Sequence, residues 1–195
     1  MMRRISAFVL LFALLAGVLP CPAFAAGQFS FRKGISWDMS PEEVKQIEGK
    51  VIEDGEWAQD NGITTLDYDK NVSRFFAREC FIFFNDRLYG VHYEFGYPNE
   101  ESEAEIYVYL KRAMTSLYGE SRFASYEDLD RFAKVMEPVE SWDYGNEPDK
   151  LVLWDLPDDT TAVLYTFWGE CEIAYYHFES LMDLPQDGQY NTENL

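Results

Sequence analysis

The chain has 195 residues, 47% of them hydrophobic and 17% aromatic, with a formal net charge of -19. This length is enough for one large domain or two small ones. An acidic surface repels nucleic-acid phosphates and anionic lipid headgroups, so the charge disfavours both and favours cations, basic proteins or neutral ligands as partners. The alternative is that the negative charge has no role in binding and only keeps an aromatic-rich protein soluble.

The first 25 residues have the pattern of a secretory signal peptide. Arg3 and Arg4 precede an apolar run from Phe8 to Val18, and Ala23-Phe24-Ala25 has the small-x-small form of a cleavage site. This run of about 11 residues is short of the about 20 that span a bilayer as a helix. The sequence therefore predicts export, to the medium, the periplasm or the cell envelope, without membrane insertion after cleavage.

A short helix is predicted directly after an extended segment at 28–31. Ser40 is placed to cap the helix, Pro41 suits its first turn, and Glu43 completes a capping box. The helix is expected to run from Pro41 to about Glu48, and Gly49 is expected to end it.

Alternating apolar residues predict three strands in this first half, at 63–68, 75–84 and 88–95. The turn Asn85-Asp86-Arg87 joins the last two as a hairpin. In the third strand the odd-numbered positions are expected to be buried, and these are Tyr89, Val91, Tyr93 and Phe95.

The second half predicts a similar order of elements. Apolar residues at spacings of three and four predict a helix from about Glu100 to Tyr118, capped by Asn99 or Ser102 and ended by Gly119. A further helix is predicted at 125–136, strands at 139–144, 150–156, 160–168 and 172–178, and a flexible tail at 184–195.

This order predicts an α+β fold, a two-layer antiparallel meander sheet with helices on one face. It also favours two α-β-β-β repeats, with a signal peptide at 1–25, a first half at 26–97 and a second half at 98–183. A single unsymmetrical α+β domain without a repeat is the alternative.

One segment resembles the start of several small bacterial envelope proteins. It reads Phe31-x-x-Gly34-Ile35-Ser36-x-x-Met39-Ser40-x-Glu42-Glu43-Val44, followed by Glu48-Gly49. Outer-membrane assembly lipoproteins of the SmpA/OmlA type and secreted β-lactamase-inhibitor proteins share this helix-plus-meander architecture, the inhibitors as a tandem pair. The resemblance implies protein binding without catalysis. The chain departs from these families in lacking a lipidation site and the usual two-disulfide pattern, and no family binding residue matches a position here.

Two cysteines remain after the predicted cleavage, Cys80 and Cys171. In an oxidising compartment they are consistent with one disulfide, and two unpaired buried thiols are the alternative. His92 and His177 would complete a zinc ligand set, but the four residues lack the close spacing of zinc sites. A Cys-His nucleophile pair has no accompanying oxyanion loop, so we expect neither metal, cofactor nor thiol catalysis.

Aromatic residues crowd the second half, and adjacent pairs such as Phe167-Trp168 and Tyr175-Tyr176 must point to opposite faces of a strand. One ring of each pair therefore lies away from a core that helices cover on one side. Large rings beside acids are typical of surfaces that recognise proteins or stack on sugars. We predict a binding surface on the open sheet face, formed by Trp142, Tyr144, Trp154, Trp168 and Tyr176.

The leading functional prediction is a non-enzymatic binding or interaction module, whose partner is another protein or an extracellular polymer. The alternative is a small extracellular hydrolase that acts on a wall polymer or glycan through paired carboxylates. Glu94, Asp143 and Asp155 are candidates because they lie on predicted strands. A cleft with two carboxylates of different pKa would favour the hydrolase.

Overall fold

The structure is a computed structural model that describes residues 29–52, 55–58, 62–96, 99–136, 150–167 and 169–177. The predicted signal peptide, the strand at 139–144 and the tail at 184–195 lie outside these ranges and stay predictions. Within the described ranges no helix combines the length and apolarity needed to cross a bilayer.

Eight antiparallel strands form one sheet, which confirms the α+β class. In chain order they are β1 (Glu56–Ala58), β2 (Ile63–Val72), β3 (Phe75–Phe84), β4 (Arg87–Phe95), β5 (Arg122–Phe123), β6 (Lys150–Asp155), β7 (Thr160–Phe167) and β8 (Glu170–His177). Across the sheet the order is β1-β2-β3-β4-β8-β7-β6-β5, so β4 and β8 meet at its centre. The sequence analysis does not predict β1 and β5, because two or three residues are too few to show an alternation.

The described residues include three α-helices, α1 (Pro41–Glu48), α2 (Glu103–Tyr118) and α3 (Tyr126–Met136). The predicted capping box of α1 is present, with the Ser40 hydroxyl accepting a hydrogen bond from the Glu43 backbone N–H. Ser102 caps α2 in the same way, which settles the choice between Asn99 and Ser102. Both helices end at a glycine with φ near 90°, a conformation that side chains with a Cβ rarely adopt.

Each face of the sheet has its own cluster of buried side chains. The first face packs against α1, α2 and the segment at 29–37, and its members include Val44, Leu66, Tyr68, Phe81, Tyr93, Ile106, Leu110, Trp154, Leu164, Ile173 and Tyr175. The second face carries Ile63, Ile82, Tyr89, Leu153, Val163, Tyr165, Ala174 and Tyr176, together with Phe132 from α3. The sheet is therefore covered by apolar contacts on both sides.

Helix α3 departs from the prediction that the helices lie on one face. The Phe132 ring centroid lies 5.0 Å from that of Tyr165 and 5.9 Å from that of Tyr176, both on the second face. Tyr175 and Tyr176 of β8 lie on opposite faces of the sheet, and α3 buries part of the second one.

Strand β4 contains a bulge that changes which residues share a face. Gly90 pairs with Ile82 but Leu88 pairs with Phe83, so Tyr89 has no cross-strand partner and joins the second face. All four odd-numbered residues are buried, as predicted, but Tyr89 lies on the second face while Val91, Tyr93 and Phe95 lie on the first.

The predicted disulfide between Cys80 and Cys171 is wrong, and both side chains are thiols. Cys171 belongs to the first face and Cys80 packs against the cluster of the second. Cys80 lies in β3 and Cys171 in β8, with β4 between them. Two strand spacings of about 4.8 Å exceed the reach of a disulfide even without the difference in face.

The segment at 29–37 crosses the centre of the first face. The Trp37 indole N–H donates to the Thr160 hydroxyl at 2.8 Å, while the Phe29 ring stacks on Tyr175 with centroids 5.9 Å apart. This segment is therefore part of the core, and it delivers Arg32 and Lys33 to buried carboxylates of the first face.

Candidate functional site

The structure buries the two predicted binding-surface residues that it describes. Trp154 is 2% exposed on the first face, and its indole N–H donates to the Gly119 carbonyl at 2.9 Å. Tyr176 is 1% exposed and lies against Phe132 on the second face. Neither ring is available to a partner, because each fills the core. Trp142, Tyr144 and Trp168 lie outside the described residues.

Among the described residues, the part of the second face formed by β1 to β4 and the start of β8 carries several exposed side chains. Trp57 in β1 is 50% exposed and pairs with Thr65, so its ring projects from this face. Asp67 and Asp69 follow Thr65 at alternate positions of β2, and Asp69 is exposed. We call this region the open half of the second face.

Acidic side chains run in a row across the open half. Asp69 pairs with Arg78, Arg78 with Glu94, and Glu94 with Glu172 on the neighbouring strands β2, β3, β4 and β8. Arg78 is exposed, Glu94 is half-buried and Glu172 is buried at 4% exposure. The row contains one guanidinium for three carboxylates.

Glu170 adds a further carboxylate next to this row. Burial raises its pKa, and so do the charge of Glu94 and a hydrogen bond between the two carboxyl groups, while Arg78 lowers it. Gly96 leaves space for the arrangement, because a Cβ there would lie 2.6 Å from Glu170 Oε1.

Behind the row lies a buried network of three polar side chains. The Tyr165 hydroxyl donates to Glu172 Oε2 at 2.6 Å and lies 2.6 Å from His92 Nε2, while His92 Nε2 is 3.2 Å from Glu172 Oε2. Burial raises the pKa of Glu172 to about 7. The charges of Glu94 and Glu170 contribute to this rise, and the Tyr165 hydrogen bond opposes it.

On the first face, the buried carboxylates lie next to positively charged side chains. Glu48 lies 2.8 Å from Arg32, 3.0 Å from Lys33 and 2.7 Å from Lys70, and Glu79 forms a salt bridge with Arg32. Three cations thus serve two acids. Although burial raises it, the pKa of Glu48 is lowered overall by hydrogen bonds from Lys70 and Lys33 and by the charge of Arg32.

Glu79 is more deeply buried than Glu48 is. Burial raises its pKa even though Arg32 and a 2.6 Å hydrogen bond from the Tyr93 hydroxyl lower it. Because Glu79 has both a cation and a hydrogen-bond donor as partners, we interpret it as a structural residue of the core.

The two His and two Cys considered as zinc ligands are divided between the faces. Cys80 and His92 are cross-strand partners on the second face, while Cys171 and His177 lie on the first. Burial raises the pKa of Cys171 to about 12. The described part of the chain contains no group of three or more His, Cys, Asp or Glu side chains able to hold a metal ion.

Of the carboxylates predicted as catalytic candidates, only Glu94 lies in the acidic row. Asp155 accepts two hydrogen bonds from Arg122, at 2.7 and 2.8 Å, and Arg122 also binds Asp128. Asp155 therefore joins β6 to β5 and α3, which is a structural role. Asp143 lies outside the described residues.

Sequence reasoning missed Trp57, Glu170 and Glu172 as site residues. Trp57 lies in a strand too short to be predicted, and the predicted strand at 172–178 begins two residues after Glu170. The alternation of Asp67, Asp69 and the apolar residues between them was a signal that could have marked β2 as acidic on one side.

Comparison with known proteins adds no assignment. No protein-family model matches the chain, and searches of curated proteins and of solved structures find no significant match. The function is therefore inferred from the site itself.

Proposed function

We propose that the protein is an exported, non-enzymatic binding module that uses the open half of its second face to bind a basic protein of the cell envelope or medium. The observation that supports it most is the charge balance of that face. Glu94, Glu170 and Glu172 lie together with Arg78 as the nearby guanidinium, whereas the acids of the first face have matched cations. A lysine or arginine side chain of a partner would supply the positive charge that these carboxylates lack.

Trp57 supports the same proposal because it adds an exposed apolar side chain to this face. Half of its surface is exposed on the same face as the acidic row, and an exposed aromatic ring is a common anchor in protein interfaces. The proposed surface differs from the one predicted from sequence, but it keeps the same principle of an aromatic and acidic sheet face.

We also propose that the chain is a tandem of two helix-plus-meander units, at 26–97 and 98–183, with α1 and α2 as the equivalent helices. The last strand of each unit, β4 and β8, meets the other at the centre in antiparallel pairing. This is the arrangement expected of two units related by a two-fold axis. It agrees with the resemblance to tandem envelope proteins, which remains a proposal.

The binding proposal is tested with a fluorescent oligolysine peptide at low salt and three proteins. These are the wild type, the face variant Glu94→Gln/Glu170→Gln, and the charge-matched control Asp86→Asn/Glu120→Gln, whose acids are exposed and lie outside the row. We expect the face variant to bind about tenfold more weakly, since it loses two charges at one site, and the control about as well as the wild type. Equal weakening in both variants would show attraction by total charge and would contradict the proposed surface.

The same three proteins and Trp57→Ala then serve as baits for the envelope fraction of the producing organism. A partner retained by the wild type and by the control, but lost with the face variant and with Trp57→Ala, would fit the proposal. A partner captured equally by all four proteins would place the binding surface elsewhere.

The hydrolase remains the second candidate, because burial and the charge of Glu94 raise the pKa of Glu170, and the pKa of Glu172 is raised to about 7. A general acid with such a pKa suits glycan hydrolysis. The test is release of reducing ends from purified wall polymer by the wild type and by Glu170→Gln. Turnover that Glu170→Gln abolishes would favour the enzyme over the binding module.

A further inference from the structure

The outward side of helix α2 carries a shallow groove. The helix packs against the first face through Ile106, Leu110 and Met114. The side chains that line the groove come from the opposite side of the helix, and these are Val108, Lys111, Arg112, Thr115 and Ser116. Val108 is 48% exposed there, although valine is among the residues most often found buried. The groove therefore combines an exposed apolar side chain with two cations.

The two cations of the groove stand out in a chain that has 35 acidic residues and 16 basic ones. At the start of the same helix, Glu103 lies 3.6 Å from Lys150. Within the described ranges, in contrast, no carboxylate forms a salt bridge with Lys111 or Arg112. Because a carboxylate forms charge-assisted hydrogen bonds with an ammonium or a guanidinium group, the groove suits an acidic segment.

The last described residue of the chain lies near the end of α2. The helix starts next to Lys150, which lies across β7 from Cys171 near the start of β8. The helix ends beside the last part of β8, where the Tyr118 and Tyr175 hydroxyls are 3.3 Å apart. Helix α2 therefore runs along β8 in the same direction, and His177 lies near its C-terminal end.

The sequence that follows β8 has the composition that such a groove requires. It reads Phe-Glu-Ser-Leu-Met-Asp at 178–183, and no lysine or arginine occurs from there to residue 195. Its carboxylates and its aliphatic side chains are those of Glu179, Leu181, Met182 and Asp183. Six extended residues span about 20 Å, which is enough to pass around a helix of about 10–12 Å diameter. The segment can therefore reach the outward side of α2 from the end of β8.

We propose that the acidic segment 178–183 docks into the groove on the outward side of α2, as an intramolecular ligand of Lys111 and Arg112. The two carboxylates of the segment bind the two cations, and its leucine and methionine cover Val108. The groove lies on the side of the sheet opposite the proposed binding surface. The docking therefore does not depend on the proposed function.

Attachment to β8 makes a weak contact sufficient for docking. A single exposed ion pair contributes little to stability. A segment joined directly to the sheet has an effective concentration of about a millimolar at the groove, because its linker is short. Two ion pairs and an apolar contact then act together. Since salt screens the ion pairs, the docking is expected to weaken as the ionic strength rises.

Backbone amide relaxation in nuclear magnetic resonance measures whether segment 178–183 is held in place. An order parameter of about 0.85 marks a rigid backbone, and a value below about 0.6 marks a flexible one. We expect the segment to give about 0.8 in the wild type and below about 0.6 in the groove variant Lys111→Glu/Arg112→Glu. The charge-matched control is Lys50→Glu/Arg87→Glu, which replaces two exposed cations that do not line the groove. This control is expected to give the wild-type value.

A charge exchange tests the contact while α2 itself is unchanged. The tail variant Glu179→Lys/Asp183→Lys alters only residues beyond β8, and it is expected to lower the order parameter of the segment below about 0.6. Combining the tail variant with the groove variant pairs opposite charges again, so the value is expected to return to about 0.8.

A wild-type value below about 0.6, or an unchanged value in the groove variant, would overturn the proposal. So would a combined variant that does not recover its order. Loss of order in the control to the same extent would show repulsion by total charge and would count against the groove. If the groove variant instead changes the order parameters of 137–149, that acidic segment is the occupant and 178–183 is not.

Discussion

The two faces of the sheet bury acidic side chains in opposite ways. On the first face, Glu48 and Glu79 are surrounded by Arg32, Lys33 and Lys70. On the second face, Glu94, Glu170 and Glu172 lie close together, and two of them have a raised pKa. The difference shows that burial of a carboxylate does not by itself indicate function. A buried carboxylate with nearby cations has a structural role, whereas one without them can bind a proton or a positively charged partner.

Replacement of one tryptophan on each face gives the largest expected contrast. Trp154→Ala removes a buried ring and its hydrogen bond to Gly119, so we expect a loss of about 4 kcal/mol in the free energy of unfolding. Trp57→Ala removes a half-exposed ring and is expected to cost less than about 1 kcal/mol. Urea unfolding monitored by far-UV circular dichroism measures both, and a stability loss of equal size would contradict the assignment of Trp57 to an exposed face.

Replacement of one arginine on each face is expected to have the next largest effect. Arg32→Met leaves Glu79 buried without its main cation, so the free energy of unfolding is expected to fall by about 3 kcal/mol. Arg78→Met is the matched control, because this exposed guanidinium faces acids that remain partly hydrated, and a change of about 0.5 kcal/mol is expected. If both variants unfolded at the same urea concentration, the first-face network would not be the stronger one.

The pH dependence of stability distinguishes Glu48 of the first face from Glu170 of the second by sign. The pKa of Glu48 is lowered in the folded protein, so its stabilising contribution is present above the unfolded pKa and is lost as the pH falls through the folded one. The pKa of Glu170 is raised, so its contribution is present below the unfolded pKa and is lost as the pH rises through the folded value.

Glu48→Gln should therefore alter stability on the acid side of the pH profile, and Glu170→Gln should alter it on the alkaline side. We expect Glu48→Gln to remove about 1 kcal/mol of the loss on the acid side, and Glu170→Gln to remove about 0.5 kcal/mol of the loss on the alkaline side. Thermal unfolding across the pH range measures both effects. Matching changes on the same limb would show that the two carboxylates experience similar surroundings.

Much of the fold could be read from local patterns. The capping box at Ser40 and Glu43 defines the start of α1, and alternation places β3 with its correct bounds. These features depend on residues close in sequence, whose spacing alone determines the available hydrogen bonds and the buried side. The bulge at Tyr89 and the short strands β1 and β5 lack such a local pattern, since each depends on a strand brought from elsewhere.

The site was less predictable than the fold. An abundance of aromatic residues in the second half favoured Trp154 and Tyr176 as surface residues, yet both are core residues because the sheet is covered on each side. In a chain with 35 acidic residues, the proximity of Glu94, Glu170 and Glu172 also has no signature in sequence. Their meeting depends on the pairing of β4 with β8, strands that lie far apart in the sequence.

The sequence by itself determined the α+β class, the helix caps, the main strands and the acidic character, because these follow from spacing and composition. Only the tertiary structure decided that β4 and β8 meet at the centre, that the two cysteines lie on opposite faces, and which carboxylates receive cations. The physical reason is that pairing between distant strands fixes which side chains share a face, and a face shared by like charges changes their protonation in a way that no local pattern encodes.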